Sequence, residues 1–351
     1  MRVARPLRTI AAAGLAAVGL VQAAGAQSIE QLYDAAKKEG ALVLYGGGPI
    51  TLYEPWAREF EQRFPGIKVS VKAGSSNVLD QEIYAQMKAG QLQVDMAILQ
   101  TIQDYERWKN AGVLLPFKPE GFDKIDDAWK DKDGAYVGVT IHGLSYAYNS
   151  AKLPEAAVPK SALDFLKPEF KGKIITTYPH VDDVTLYLYQ ILVDKYGPEF
   201  LEKLKANEPV FVRGHLGVSR AIAAGDEKTL TFDSFVSMSI AEAKAGKPIV
   251  TVVSEVDPLP VFAQTAAVFK DAPHPNAAKL YISWYLQPEQ QGRQGTWSSR
   301  SDVVPPPPLK PLSNYNVANA FRAFIMDEAK AKALRDRYLG FTGPASAGVY
   351  R

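Results

Sequence analysis

The sequence predicts an α/β protein of two lobes, each a mixed, mostly parallel sheet flanked by helices, with a ligand cleft between them. Three observations carry that prediction. Apolar runs of strand length alternate with amphipathic runs of helical length along most of the chain from residue 41 onward. The alternation breaks around "GAYVGVTIHGLSYAYN", a hairpin-like stretch, and then restarts. The chain has 351 residues and no cysteine, so ordinary hydrophobic cores must hold it together, and it is long enough for two of about 150 residues each.

Ahead of the first strand runs "MRVARPLRTIAAAGLAAVGLVQAAGAQ". Arg2, Arg5 and Arg8 precede an apolar run that closes on Ala24-Gly25-Ala26, the small-x-small pattern of a cleavage site. The order predicts export to the periplasm and cleavage after Ala26, with residues 1–26 as signal peptide. The run from Ile10 to Val21 is too short to span a bilayer core, which takes roughly 20 residues. Lys plus Arg number 40 against 38 Asp plus Glu. A nearly neutral chain without a basic stripe predicts no nucleic-acid partner, and a monomer that does not insert stably in membranes is expected.

In order, "ALVLYG" reads as a buried strand, and "YEPWAREFEQRF" as a helix with Trp56, Phe60 and Phe64 at helical spacing. "GIKVSVKAGSS" alternates as a strand. "NVLDQEIYAQMKAG" is a helix for which Asn77 is the expected cap and Gly90 the stop. "VDMAILQ" is a third strand and "QDYERWKNAGVLLPF" a helix and turn. After the break come strand "KGKIITTYP", helix "DDVTLYLYQILVDKYG", strand "EPVFVRG", helix "VSRAIAAGD" and strand "TLTFDS". A further helix, two strands and the helix "HPNAAKLYISWYLQPEQQ" follow, and "VVPPPPL" can only be extended. The expected first lobe is 27–140 plus about 250–300, and the second 141–249 plus about 301–351, joined by more than one crossing strand.

Open α/β sheets bind ligands at the carboxyl ends of their strands. In the first lobe that rule selects Tyr45, Gly46, Gly47 and Gly48, then Ser75, Ser76 and Asn77, then Gln100 and Thr101. In the second it selects Tyr178, His180, Arg213, His215, Asp233 and Ser234. The triple glycine lets a backbone approach a ligand, or simply makes a tight turn. It is no phosphate loop: "GGGPITLYE" lacks the Gly-Lys-Ser/Thr ending and the spacing of a dinucleotide fingerprint. Arg213, and Arg300 in "TWSSRSDVVP", are the candidate forks for an anion, with structural ion pairs, such as Arg300 with Asp302, as the alternative. Tyr178 is the preferred cleft aromatic, and Asp182 and Asp183 read as helix-start residues first. His142 sits on an expected crossing strand, but a lone histidine is more often a structural hydrogen-bonder.

"LVLYGGG", "FEQRFPGIKV", a Val-Asp-apolar strand, "DFLKPEFKGKI" and "AAKLYISWYLQPEQQ" occur here in sequence. Together they make the chain similar to the extracytoplasmic solute-binding proteins of bacterial ABC importers, in the ferric-iron-binding-like branch. The resemblance implies the two-lobe type II periplasmic-binding-protein fold, closure over a small-molecule ligand, and docking of the closed form on an ABC permease. Ferric binders of that branch carry an imidazole or glutamine in the first turn, a glutamate after the third strand and a tyrosine pair. Matching positions here hold Gly46–Pro49, Gln100, and Phe235 with Val236. Ferric iron is a hard cation that takes anionic oxygen donors, which these positions lack; with Arg213, Arg300 and the histidines near the cleft, the expected cargo is a small polar, anionic organic molecule. A ferric ion, or another metal with a synergistic anion, is the alternative.

An enzyme is not expected. No nucleophile elbow and no zinc motif occurs, and the four histidines are far apart in the chain. A secreted hydrolase is the third reading, and no cofactor is implied.

Overall fold

The computed structural model describes residues 27–346; the expected signal peptide lies outside them. The first βα units form as their sequence dictates. Helix α1 (Ile29–Glu39) starts on a capping box, in which Ser28 and Gln31 satisfy each other's backbone N–H groups, and ends on left-handed Gly40. Then come β1 (Ala41–Gly47), α2 (Glu54–Arg63), β2 (Lys68–Gly74), α3 (Ser76–Lys88), β3 (Met96–Leu99) and α4 (Ile102–Asn110). Strand β1 pairs parallel with β2 and with β3, as the right-handed βαβ crossover requires.

The stretch expected as a hairpin is one continuous strand, β4 (Val137–Asn149), buried along all 13 residues. Its Gly138 and Gly143 do not break it; there, close approach of Trp129 and Trp297 leaves no room for a Cβ. After β4 come β5 (Ile175–Thr177), α5 (Asp183–Tyr196), α6 (Glu199–Ala206), β6 (Val210–Val212), α7 (His215–Ala224), β7 (Leu230–Phe235), α8 (Val236–Lys244) and β8 (Ile249–Val252). The chain then runs back through β9 (Leu259–Val268) to α9 (Pro275–Tyr285) and α10 (Pro288–Gly292), and finishes with β10 (Val317–Ala318), α11 (Phe321–Met326) and α12 (Glu328–Thr342).

The main sheet runs β2-β1-β3-β9-β4-β7, with β8 on β4 and β10 on β9. Strand β4 is shared between two environments. Val137–Gly143 pairs antiparallel with β9, while Leu144–Tyr148 pairs with β7 and Tyr146–Asn149 with β8. Strand β9 mirrors it: Thr265–Val268 pairs with β3, and Leu259 and Pro260 pair with β10. Strands β5 and β6 form a parallel pair that meets β7 through an Ile174–Leu230 bridge.

Apolar side chains segregate accordingly. Leu42 and Leu44 of β1 pack with Phe60, Tyr281 and Trp284 on one face of the first sheet, and Tyr45 packs with Leu79, Tyr105 and Trp108 on the other. A separate core holds Phe165, Tyr189, Phe200, Phe232 and Tyr338. Between these cores lie Ile141 and Val261 of the crossing strands, with Trp297, which bridges to Ile141. Two bodies joined through β4 and β9 form the α/β type II binding-protein fold. Among the described residues no helix is long and apolar enough to cross a membrane.

Candidate functional site

The glycine turn is filled by the protein itself. A Cβ on Gly46 would lie 2.5 Å from the Tyr53 ring, whose hydroxyl donates to the Gly47 carbonyl at 2.7 Å. A Cβ on Gly47 would collide with Ser76 Oγ. Gly48 has φ +109° and donates its N–H to Gly74 O at 2.7 Å. All three glycines are therefore explained by the packing of Tyr53 and Ser76 and by the turn. Tyr45 points to the opposite face, where its hydroxyl donates to Glu82 at 2.7 Å. Helix α3 is capped two residues earlier than expected: Ser75 is the N-cap position and Asn77 lies exposed in the first turn.

At the end of β3 the lobes touch. Gln100 Nε2 lies 3.4 Å from Asp182 Oδ2, and Gln103 Nε2 donates to Asp183 Oδ2 at 3.0 Å. Asp182 caps α5 by accepting from the Val184 and Thr185 N–H groups. Thr101 is buried at the start of α4. Beside it, Asp104 is buried with one oxygen unpartnered. Burial, aided by the charges of Asp80 and Asp183 and opposed by Arg107, raises its pKa to about 6.

The second-lobe strand ends are occupied in a different way. Asp233 is fully buried and saturated: Thr176 Oγ1, Thr177 N and Thr177 Oγ1 donate to Oδ2 at 2.6–2.9 Å, and His215 Nε2 meets Oδ1 at 2.9 Å. Burial opposes the charge on both groups, but their mutual attraction and hydrogen bond hold His215 above its ordinary pKa and Asp233 below. Ser234 Oγ is bonded to Ser219 and Ser239. These residues, expected as ligand contacts, form an internal polar core of the second lobe.

Tyr178, His180 and Arg213 are taken up by the end of α12 and the segment after it. Arg213 Nε donates to Ser346 O at 2.9 Å, His180 Nδ1 meets Thr342 Oγ1 at 3.1 Å, and the Ser346 N–H points to the Tyr178 hydroxyl at 3.4 Å. Arg300 is buried and forks onto Asp302 at 2.9 and 2.7 Å. It also donates to Leu286 O, so its guanidinium serves the structure instead of an anion.

One pocket draws on both lobes and both crossing strands. Leu52, Tyr53, Trp56, Ile98, Tyr285 and Gln294 come from the first body, Ser237 from the start of α8, Thr140 and His142 from β4, and Gln264 from β9. Its free volume is about 80 Å³, room for a small group. Among the described residues no Asp, Glu, Lys or Arg lines it. His142 stacks on Phe235, with centroids 5.5 Å apart, and its Nδ1 lies 3.3 Å from Ser237 Oγ. Burial lowers its pKa to about 4, so the ring is neutral at neutral pH. Burial also raises Tyr285 to about 12 and pushes Tyr53 further up. Most of these residues are not strand ends, so the strand-end rule passes over them. A signal was present: Thr140 and His142 are two apart in the apolar first half of the strand, which puts both on one face.

The family model described as bacterial extracellular solute-binding protein matches residues 45–292, well over half of the chain. The chain belongs to that family. This extracellular solute-binding protein is 24% identical over 193 residues to the Fe(3+)-binding periplasmic protein of Serratia marcescens, covering 54% of the chain and 56% of that relative. The match thus spans little more than half the length of the curated relative. Among solved structures it resembles the periplasmic binding protein AfuA from Actinobacillus pleuropneumoniae with fructose-6-phosphate bound, at TM-score 0.71, 19% identity and coverage of 87% and 99% of the two chains. It also resembles iron-bound HitA from Pseudomonas aeruginosa, at TM-score 0.69, 20% identity and coverage of 85% and 99%. Both likenesses show the fold. Membership makes the protein an extracellular binder of a solute, and the pocket offers such a solute neutral hydrogen-bonding groups.

Proposed function

We propose that this extracellular solute-binding protein captures a small polar solute between its lobes and delivers it to an ABC permease. The cargo is held in the pocket on the crossing strands. The observation that carries this reading is the origin of the lining: a molecule touching Trp56 and Ser237 together bridges both bodies, so it favours the arrangement in which they meet. Export through the signal in residues 1–26 is part of the same proposal.

Ferric iron is the second reading, and the relatives favour it over an organic anion: the Serratia protein and two similar structures carry ferric-binding names, and HitA is iron-bound. Two phenols and an imidazole do converge here in Tyr53, Tyr285 and His142. Against a bare ferric ion stands the donor set. The lining holds no carboxylate, and the Tyr53 hydroxyl is already committed as a donor to Gly47 O. The anionic part of the first expectation also loses support, because Arg213 and Arg300 are bonded elsewhere.

Titrating the purified mature chain with ferric citrate separates the readings. The expected result is no tyrosinate absorption band in the visible. A saturable band at one iron per chain, lost in Tyr53→Phe or Tyr285→Phe, moves the assignment to iron.

A further inference from the structure

The contacts of Gln100 with Asp182 and of Gln103 with Asp183 are two points on a longer seam between the bodies. Gln103 and Glu106 are three apart on α4, so they share one face of that helix. Glu106 pairs with Arg322 of α11. Helix α11 belongs to the second body: Phe321 and Phe324 pack on Tyr187 of α5, with ring centroids 5.8 and 5.1 Å apart. Glu106 is held in the first body by the Tyr136 hydroxyl, which donates to it. Asp183 is held in the second by Arg335 of α12, which bonds Oδ1 at 2.6 Å and leaves Oδ2 for Gln103. A carboxylate only accepts, so the donor end of the Gln103 amide faces Asp183.

Neither carboxylate is an ordinary surface group. The Asp183 and Glu106 side chains are 4% and 14% exposed, and a charge-assisted bond to such a desolvated acceptor is stronger than an exposed ion pair. Each acceptor is already fixed by a neighbour from its own body, so little side-chain freedom remains to be lost when the seam forms. The contact continues as apolar packing, in which Phe321 and Arg322 wall a small gap with Ile102, Tyr136 and Phe262 of β9. All of these bonds run from protein to protein, and none needs a cargo atom.

We propose that this seam is a closure latch: Gln103 and Arg322 favour the closed arrangement of the lobes by themselves, and so raise the affinity for cargo without touching it. Closure that the chain supplies does not have to be supplied by the guest. The inference goes beyond the capture function, because it concerns the equilibrium between open and closed lobes in the chain alone. Its test contains no cargo, so its failure leaves the cargo readings standing, and theirs leaves it standing.

The chain has no cysteine, so Lys88→Cys on α3 and Lys205→Cys on α6 place one spin label on each body. Electron–electron double resonance on the purified, cargo-free chain then reads the distance between them. The parent should populate mainly the distance found in the structure. Gln103→Leu combined with Arg322→Leu should raise the open-to-closed ratio about tenfold or more, the effect of losing a charge-assisted hydrogen bond. Lys332→Gln removes a 2.7 Å ion pair that lies within α12 alone, and should leave the distances unchanged. If the double variant does not fold, Glu106→Gln weakens the seam from the other side and should shift the distances in the same direction. The latch is overturned if the seam variants keep the parent's distribution, if the parent is already as open as they are, or if Lys332→Gln opens the lobes equally.

Discussion

The carboxyl ends of the second-lobe strands and the middle of the crossing strands are both rich in polar side chains, yet they differ in what those side chains still have to offer. At the strand ends, Asp233 accepts from two threonines and His215, Ser234 is bonded to two serines, and Arg213 is bound to the chain's own Ser346. On the crossing strands and facing them, Gln264 and Gln294 each keep a buried oxygen with no partner. A satisfied polar group stabilises the fold, whereas an unsatisfied buried one costs free energy until something pairs with it. The distinction lies in partners, and residue type alone does not reveal it.

The largest effect should come from breaking the satisfied region. Asp233→Ala leaves His215 and two threonine hydroxyls buried without their acceptor, and removing one member of a buried pair typically costs about 3–5 kcal/mol. Urea denaturation should show a loss of that order. A change below about 1 kcal/mol would mean that the strand-end network is expendable, and its assignment as internal core would fail.

A smaller effect belongs to the contact zone between the bodies. Asp104 has its pKa raised to about 6 in the folded chain by burial, with Asp80 and Asp183 adding to the shift. A carboxyl with a raised folded pKa takes up protons more readily folded than unfolded. Its contribution is therefore most favourable below the ordinary carboxylate value and is lost as pH rises through about 6. Asp104→Asn should flatten that decline and stabilise the protein at pH 7.5 by roughly 2–3 kcal/mol. Denaturation curves at pH 4.5 and 7.5 compare the two. An unaltered pH slope in the variant would place the titration elsewhere.

Least affected should be the glycine turn. Gly46→Ala drives a methyl group into the Tyr53 ring, at a cost of about 1–3 kcal/mol for overpacking. In the double variant with Tyr53→Ala, where the ring is gone, the added methyl should cost almost nothing. If the alanine costs the same with and without Tyr53, the glycine serves something other than this packing.

Much of the architecture was legible because it depends on local pattern. Helix α1 announces itself through Ser28, Gln31 and Gly40, and the βαβ run through alternating apolar periods. Asp182 as a helix cap could likewise be read from its place before an apolar helix. Strand β4 was misjudged as a hairpin because glycine punctuates turns in most sequences. Here Gly138 makes room for Trp129, nine residues before it, and Gly143 for Trp297, which arrives from a distant part of the chain. The site was legible in position only. The strand-end rule led toward the cleft but named residues whose partners fill them.

The sequence alone determined the class of the protein: two cysteine-free α/β bodies, crossing strands, and a family resemblance that the matched segment bears out. Those features rest on short-range order, which composition and periodicity encode directly. Only the tertiary structure decided which polar atoms were left over. That depends on encounters between residues far apart in the chain, such as Asp233 with Thr177, Arg213 with Ser346 and Gln294 with Val139. A hydrogen bond formed across such a separation leaves no trace in the local pattern of either partner.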